Sequence, residues 1–265
     1  MVAPTIKIGI NLMGVILKAE NITKLYSNGR GAEDITFTLE SGDSFGLLGA
    51  NGAGKTTVMK ILTGLLNASG GTAELFGHDI LTDRGRALER VGAIIEAPVF
   101  YGYLSVYQNV KLTAGYYKNA AENDIEDILR KVNLWEFRKD KASKLSLGMK
   151  QRLGLAIAMI GKPELYILDE PTNGLDIEGR VSIRNIIIDL AKNKNNAFLI
   201  SSHLSEEIEK ICNKVGIIKN GKMADICDMS YILENYPSLE EYYLDKIGLI
   251  NAGRGDLPNT FGFAP

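Results

Sequence analysis

An α/β fold with a largely parallel sheet is predicted by three features of this 265-residue chain. A short apolar run, FGLLG (Phe45–Gly49), leads into a glycine-rich loop and then into a helical stripe. Two more apolar runs, LYIL (Leu165–Leu168) and AFLISS (Ala197–Ser202), alternate with helical stripes in the second half. Before Gly49 the pattern differs, with polar and apolar residues alternating as in antiparallel strands. Strands alternating with helices build parallel sheets, because a parallel crossover needs a long connection.

In chain order, IGINLMGVIL (Ile8–Leu17) is the longest apolar run, far short of the roughly 18 residues that span a bilayer. No small-residue cleavage pattern follows it, so residues 1–14 are read as an N-terminal extension or an extra strand. Met13 offers an alternative start. VILKAENITKLY (Val15–Tyr26) and ITFTLE (Ile35–Glu40) are expected to be half-buried antiparallel strands. Val58, Ile61, Leu62 and Leu65 fall at i, i+3, i+4 and i+7, one face of a helix. From about 97 to 163 the pattern is helical, with stripes at Ile125, Ile128, Leu129 and Val132 and at Leu153, Ala156, Ile157 and Ile160. These helices are expected to form a separate lobe. Ile183, Ile186, Ile187 and Leu190 mark a further helix. VGIIKNGKM (Val215–Met223) reads as a hairpin turning at Asn220-Gly221. Residues 250–265, rich in Gly, Pro and Asn, read as a disordered tail.

Composition limits the function classes. Net charge is −2 and no basic stripe stands out, so no nucleic-acid partner is expected. Two cysteines cannot make a disulfide framework and suit a reduced compartment. The two histidines, His78 and His203, are the only histidine candidates for catalysis.

Gly49, Gly54, Lys55 and Thr56 fit the spacing G-x-x-x-x-G-K-[ST]. A loop that wraps a triphosphate must point several N–H groups inward, in backbone shapes closed to most L-residues. That accounts for Gly49, Gly52 and Gly54. The helix that follows aims its positive end at the same phosphates. Lys55 supplies a point charge, and the Thr56 hydroxyl can ligate Mg²⁺. A chance glycine turn is the bland alternative, disfavoured by the strand before it and the helix after it. Asp169 and Glu170 close an apolar strand, where ligands sit in open α/β sheets. Asp169 is placed to hold Mg²⁺ and Glu170 to act as general base. Read alone they would be two surface carboxylates. His203 ends another strand, where it can reach a γ-phosphate.

With these parts in order, the chain resembles the ATP-binding subunit of an ABC transporter. LSLGMKQRLGLAIAM (Leu145–Met159) is similar to the family signature L-S-G-G-Q-x-Q-R, and the resemblance covers roughly residues 15–249. It implies a P-loop NTPase core with a mostly parallel sheet, an N-terminal antiparallel β subdomain and an inserted helical subdomain. It implies Tyr26 as the aromatic on adenine. Gly49, Ala50, Asn51, Gly52, Ala53, Gly54, Lys55, Thr56 and Thr57 become the phosphate loop, Asp169 the Mg²⁺ carboxylate, Glu170 the base and His203 the switch. Asn173, Gly174, Leu175 and Asp176 match the loop that crosses to a partner subunit. Ser146 and Gly148 match residues that touch ATP held by the other protomer, so two ATP molecules join a head-to-tail dimer, with itself or with a related subunit. Cofactors are then ATP and Mg²⁺, and the partner is a separate integral membrane permease, which would hold the chain at the cytoplasmic face of the membrane.

Two departures from the family pattern matter. Leu147 and Met149 replace the first signature glycine and the glutamine, which spares backbone donors and removes one polar contact. Glu96 stands where the family usually has glutamine, in the loop coupling the core to the helical lobe. At about 5 Å and an effective dielectric near 20, one more negative charge beside the phosphates costs on the order of 3 kcal/mol. Glu96 is therefore expected to sit behind Mg²⁺ or to swing away. Glutamate here, with LSLGMKQR, is similar to the subgroup that exports bacitracin and lantibiotics. The alternative is a soluble ATPase of the same family, such as an Fe–S cluster assembly subunit. A GTPase would need an Asn-Lys-x-Asp base reader, which the chain lacks.

Overall fold

The computed structural model describes residues 14–118 and 121–250. The expected extension over 1–14 and tail over 250–265 therefore lie almost wholly outside the described residues. Two sheets carry the fold. The first is antiparallel, in the order β2-β1-β4-β5, from β1 (Val15–Leu25), β2 (Gly31–Glu40), β4 (Gly70–Leu75) and β5 (His78–Asp79). The second is six-stranded and mostly parallel. It runs β10-β9-β3-β8-β7-β6, from β3 (Ser44–Leu48), β6 (Val91–Ile94), β7 (Leu165–Asp169), β8 (Ala197–Ser202), β9 (Lys214–Lys219) and β10 (Lys222–Asp228). Only β9 and β10 pair antiparallel in it, as a hairpin. Asn220 and Gly221 both have positive φ, 50° and 82°, the conformation a two-residue turn of this kind demands.

The parallel strands are buried on both faces, as their unbroken apolar runs require. On one face Phe45, Leu47, Ile167 and Leu199 pack with α1 (Lys55–Leu62) and the antiparallel sheet. On the other, Leu48, Tyr166, Leu168, Phe198 and Ile200 share one core with the helices. These include α3 (Val106–Ala114), α4 (Glu122–Lys131), α5 (Leu147–Met159), α6 (Ile177–Ala191), α7 (Ser205–Ile211), α8 (Met229–Asn235) and α9 (Leu239–Lys246). The predicted stripes of α4 and α5 thus bury into a core continuous with the sheet. A short α2 (Arg84–Leu88) lies between β5 and β6.

One expected helix is shorter than its periodicity suggests. α1 stops at Leu62, and Leu65 is exposed. Thr63 turns its hydroxyl back to the Met59 carbonyl at 2.8 Å, and Gly64 adopts a φ of 67°. The N–H groups of Gly64 and Leu65 then bond to the carbonyls of Ile61 and Lys60, which closes the helix in a Schellman motif.

Candidate nucleotide-binding site

Topology gathers the site. β3, β8 and β7 are neighbours and parallel, so their C-terminal ends share one edge of the sheet. Leu48 pairs with Ser202, and Asp169 with Ser201. The residues that follow these strands, Gly49, His203 and Glu170, therefore emerge side by side. β6 pairs with β7 and brings Glu96 to the same edge.

The phosphate loop is fixed from below. Gly54 sits at φ 110°, and a Cβ there would lie 2.3 Å from the Gly31 carbonyl oxygen. The hairpin turn docks on the loop, with the Gly221 N–H donating to the Ala53 carbonyl at 2.9 Å. Lys55 is buried, and its Nζ donates to the carbonyls of Gly49 (2.7 Å) and Ala50 (3.2 Å). The same Nζ lies 3.1 Å from Glu170 Oε1, too poorly aligned for a hydrogen bond, so that oxygen is buried without a hydrogen-bond partner. The other oxygen of Glu170 lies 2.7 Å from His203 Nδ1. Glu170 itself has φ 48°, the left-handed region that few non-glycine residues occupy.

Asp169 is buried, and its charge is met from two sides. Ser201 Oγ donates to Oδ1 at 2.6 Å and the Glu96 N–H to Oδ2 at 3.3 Å. The Glu96 carboxylate takes the second of the two expected courses and swings away. It pairs with Lys60 of α1 at 2.7 Å, while its backbone adopts φ 62°.

A cleft of about 310 Å³ lies over the loop, lined by Tyr26, Asn28, Arg30, Asn51, Gly52, Lys55, Thr56, Glu170 and Asn173 among others. Tyr26 is half exposed. Asn28 and Arg30 were not singled out in the sequence. Their signal was the turn-forming Ser27-Asn28-Gly29 after Tyr26, a turn the structure closes with the Tyr26 N–H donating to the Arg30 carbonyl at 2.8 Å. The residues present fit a nucleotide with a hard cation. The N–H groups of Gly54, Lys55, Thr56 and Thr57 bond to no protein group among the described residues. No cluster of three or more His, Cys, Asp or Glu could cage a metal among the described residues. One hydroxyl and one carboxylate suit Mg²⁺, which keeps water and phosphate oxygens as its other ligands.

A second cleft, of about 570 Å³, is lined by Ser146, Leu147, Gly148, Arg152, Gly174, Leu175 and Asp176 among others. Ser146 caps α5 and accepts from the Met149 N–H at 3.3 Å. Asp176 caps α6 and accepts from the Gly179 N–H at 2.8 Å. The loop from Glu170 to Asp176 thus starts in one cleft and ends in the other. Among the described residues no helix is long and apolar enough to cross a membrane.

The ABC transporter family model matches residues 32–173. The bacitracin transport ATP-binding protein of Bacillus licheniformis is 38% identical over 232 residues, 88% of this chain and 76% of the relative. The lantibiotic transport ATP-binding protein of Streptococcus pyogenes is also 38% identical over 232 residues, 88% of this chain and 97% of the relative. A solved ATP-binding subunit of an ABC transporter superposes with a TM-score of 0.77 at 27% identity, covering 88% of this chain and 99% of that one. A dimeric ATP-binding cassette bound to ADP and phosphate shares the fold, with a TM-score of 0.73 at 20% identity over 81% and 99% of the two chains. The phosphate loop, the carboxylates that close β7 and these likenesses agree: the chain belongs to the ABC transporter family, as an ATP-binding and ATP-hydrolysing subunit.

Proposed function

We propose that the chain drives export of an antimicrobial peptide through a separate membrane permease, as an ATP-dependent head-to-tail dimer with itself or a related subunit. The substrate class rests on the likeness to bacitracin and lantibiotic transport subunits. The cassette spans 15–249, and its helices between 97 and 163 serve as the docking lobe, which places the chain at the inner face of the membrane.

Each protomer supplies one half of each site. Tyr26 stacks on the base, and the loop from Gly49 to Thr57 holds the phosphates through Lys55 and the N–H groups of Gly54 to Thr57. Lys55 exchanges its internal partners, the Gly49 and Ala50 carbonyls and Glu170, for phosphate oxygen. Thr56 and Asp169 would hold Mg²⁺, which supplies charge neutralisation at the phosphates. Glu170 accepts a proton from the attacking water, and His203, 2.7 Å from its carboxylate, fixes that carboxylate's direction. Ser146 and Gly148 complete the site of the partner, and Asn173 to Asp176 line the seam.

One observation carries the dimer reading. A Cβ on Gly148 would meet nothing closer than 3.9 Å, and its φ is not positive. This chain's own packing does not require a glycine there, whereas close approach of another body does. Deleting the gene should lower the bacitracin or lantibiotic concentration that stops growth by at least about fourfold. Wild-type chain should restore resistance and Glu170→Gln should not. Unchanged susceptibility to a panel of such peptides would contradict the export reading.

A further inference from the structure

We propose that Gln151 is a positioning residue that ties the two ATP sites of the dimer together; this rests on the reading that Ser146 and Gly148 serve the partner's nucleotide. Gln151 lies one turn into α5, the helix that Ser146 caps. It is buried, and its Nε2 donates to the Pro171 carbonyl at 3.1 Å. Pro171 follows Glu170 directly. It opens a tight turn closed by the Asn173 N–H on the Glu170 carbonyl at 3.0 Å. One amide therefore joins the helix that reads the partner's phosphate to the residue that directly follows the one activating water at this protomer's own phosphate.

The remaining chemistry favours direction over packing. The other end of the amide, Oε1, is buried with no hydrogen-bond partner. A site selected only to fill space would take Leu or Met and avoid that loss. The turn that Gln151 grips also carries the left-handed Glu170, a conformation that persists only where its surroundings hold it. Leu147 lies against Gly174 in the same seam, 3.4 Å from where a Cβ of Gly174 would stand. A shift of α5 on meeting the partner's nucleotide is thus passed to Pro171 and to the Glu170 carboxylate.

Gln151→Met keeps the volume and removes the donor. Its kcat for ATP should fall about tenfold, while KM and the affinity for a fluorescent ATP analogue with Mg²⁺ stay within about twofold. Gln151→Leu, also unable to donate and of similar size, should behave alike and serves if the methionine variant folds poorly. Because Gln151 acts in series with Ser146, the double variant Gln151→Met, Ser146→Ala should lose little more than the worse single variant. Wild-type turnover in Gln151→Met, additive losses in the double variant, or a fall in affinity and melting temperature that matches the loss of kcat would each overturn the proposal. Wild-type turnover in Ser146→Ala alone is a different result, which removes the head-to-tail reading itself.

Discussion

The two clefts are built on opposite terms. At the phosphate loop Gly49, Gly54 and Lys55 each answer to the chain itself. A Cβ on Gly49 would stand 2.5 Å from the Ile218 carbonyl oxygen and one on Gly54 2.3 Å from that of Gly31, and Lys55 has three internal partners. At the signature helix Gly148 has room to spare, and Leu147 and Ile177 are exposed at 55% and 72%. The contrast separates two kinds of constraint. Where internal packing explains a glycine, the chain's own fold sets the residue. Where it does not, the residue answers to something that arrives from outside.

Substitutions can break this contrast. The largest effect is expected for Gly54→Ala, which drives a methyl group into the Gly31 carbonyl at a φ of 110°. It should weaken nucleotide binding by at least about a hundredfold, read by titration with a fluorescent ATP analogue. Gly148→Ala should leave unfolding free energy within about 0.5 kcal/mol of wild type, because the space is open, yet lower turnover about tenfold. Equal losses of stability at the two glycines would erase the distinction.

Smaller effects sharpen it. Glu96→Gln keeps the main-chain N–H on Asp169 and releases only the pairing with Lys60. Its KM for ATP should stay within about twofold of wild type, because a half-exposed pair is worth little. The amount of peptide exported per ATP should change, measured with the permease in vesicles. The smallest effect concerns acid. Burial alone would lift the Asp225 carboxyl, but Lys246 at 3.0 Å and the Tyr242 hydroxyl at 2.8 Å outweigh it and hold it below its ordinary 3.8. A depressed folded value stabilises the native state above 3.8, and that contribution is lost as pH falls through the folded value. Asp225→Asn should therefore flatten the acid limb of stability against pH. These contacts anchor α9, which sets the Tyr243 phenol beside the Ala50 main chain, so acid should loosen the phosphate-loop cleft before the signature cleft.

Much of this was legible in the sequence because it is local. The strand, loop and helix around Gly49, the hairpin at Asn220-Gly221 and the cap at Ser146 are each written in one short continuous stretch of chain. The end of α1 was not, since periodicity at Leu65 is silent about a Thr63 hydroxyl that turns back and a Gly64 that adopts positive φ. The two-residue β5 is too short to carry an alternation, and β4, where Thr72-Ala73-Glu74-Leu75 alternates, was passed over behind the glycine pair Gly70-Gly71. Glu96 was legible as a charge out of place, but its destination, Lys60, lies 36 positions away. Gln151 stood in plain view as the match to the signature's second glutamine, but its contact was hidden: the partner is a main-chain carbonyl, which looks the same at every residue.

The central claim is that each ATP is held between the phosphate loop of one protomer and the signature helix of the other. Lys55→Ala disables the first surface and Ser146→Ala the second, so each variant alone should be nearly inactive. Mixed in equal amounts they should form hybrid dimers with one intact site, and hydrolysis should rise clearly above either component, to at most about a quarter of the wild-type rate, since half the dimers are hybrid and each has one site of two. The link through Gln151, idle on the Ser146→Ala side, lowers it below that ceiling. A mixture no more active than its components, with both variants folded, would contradict the account.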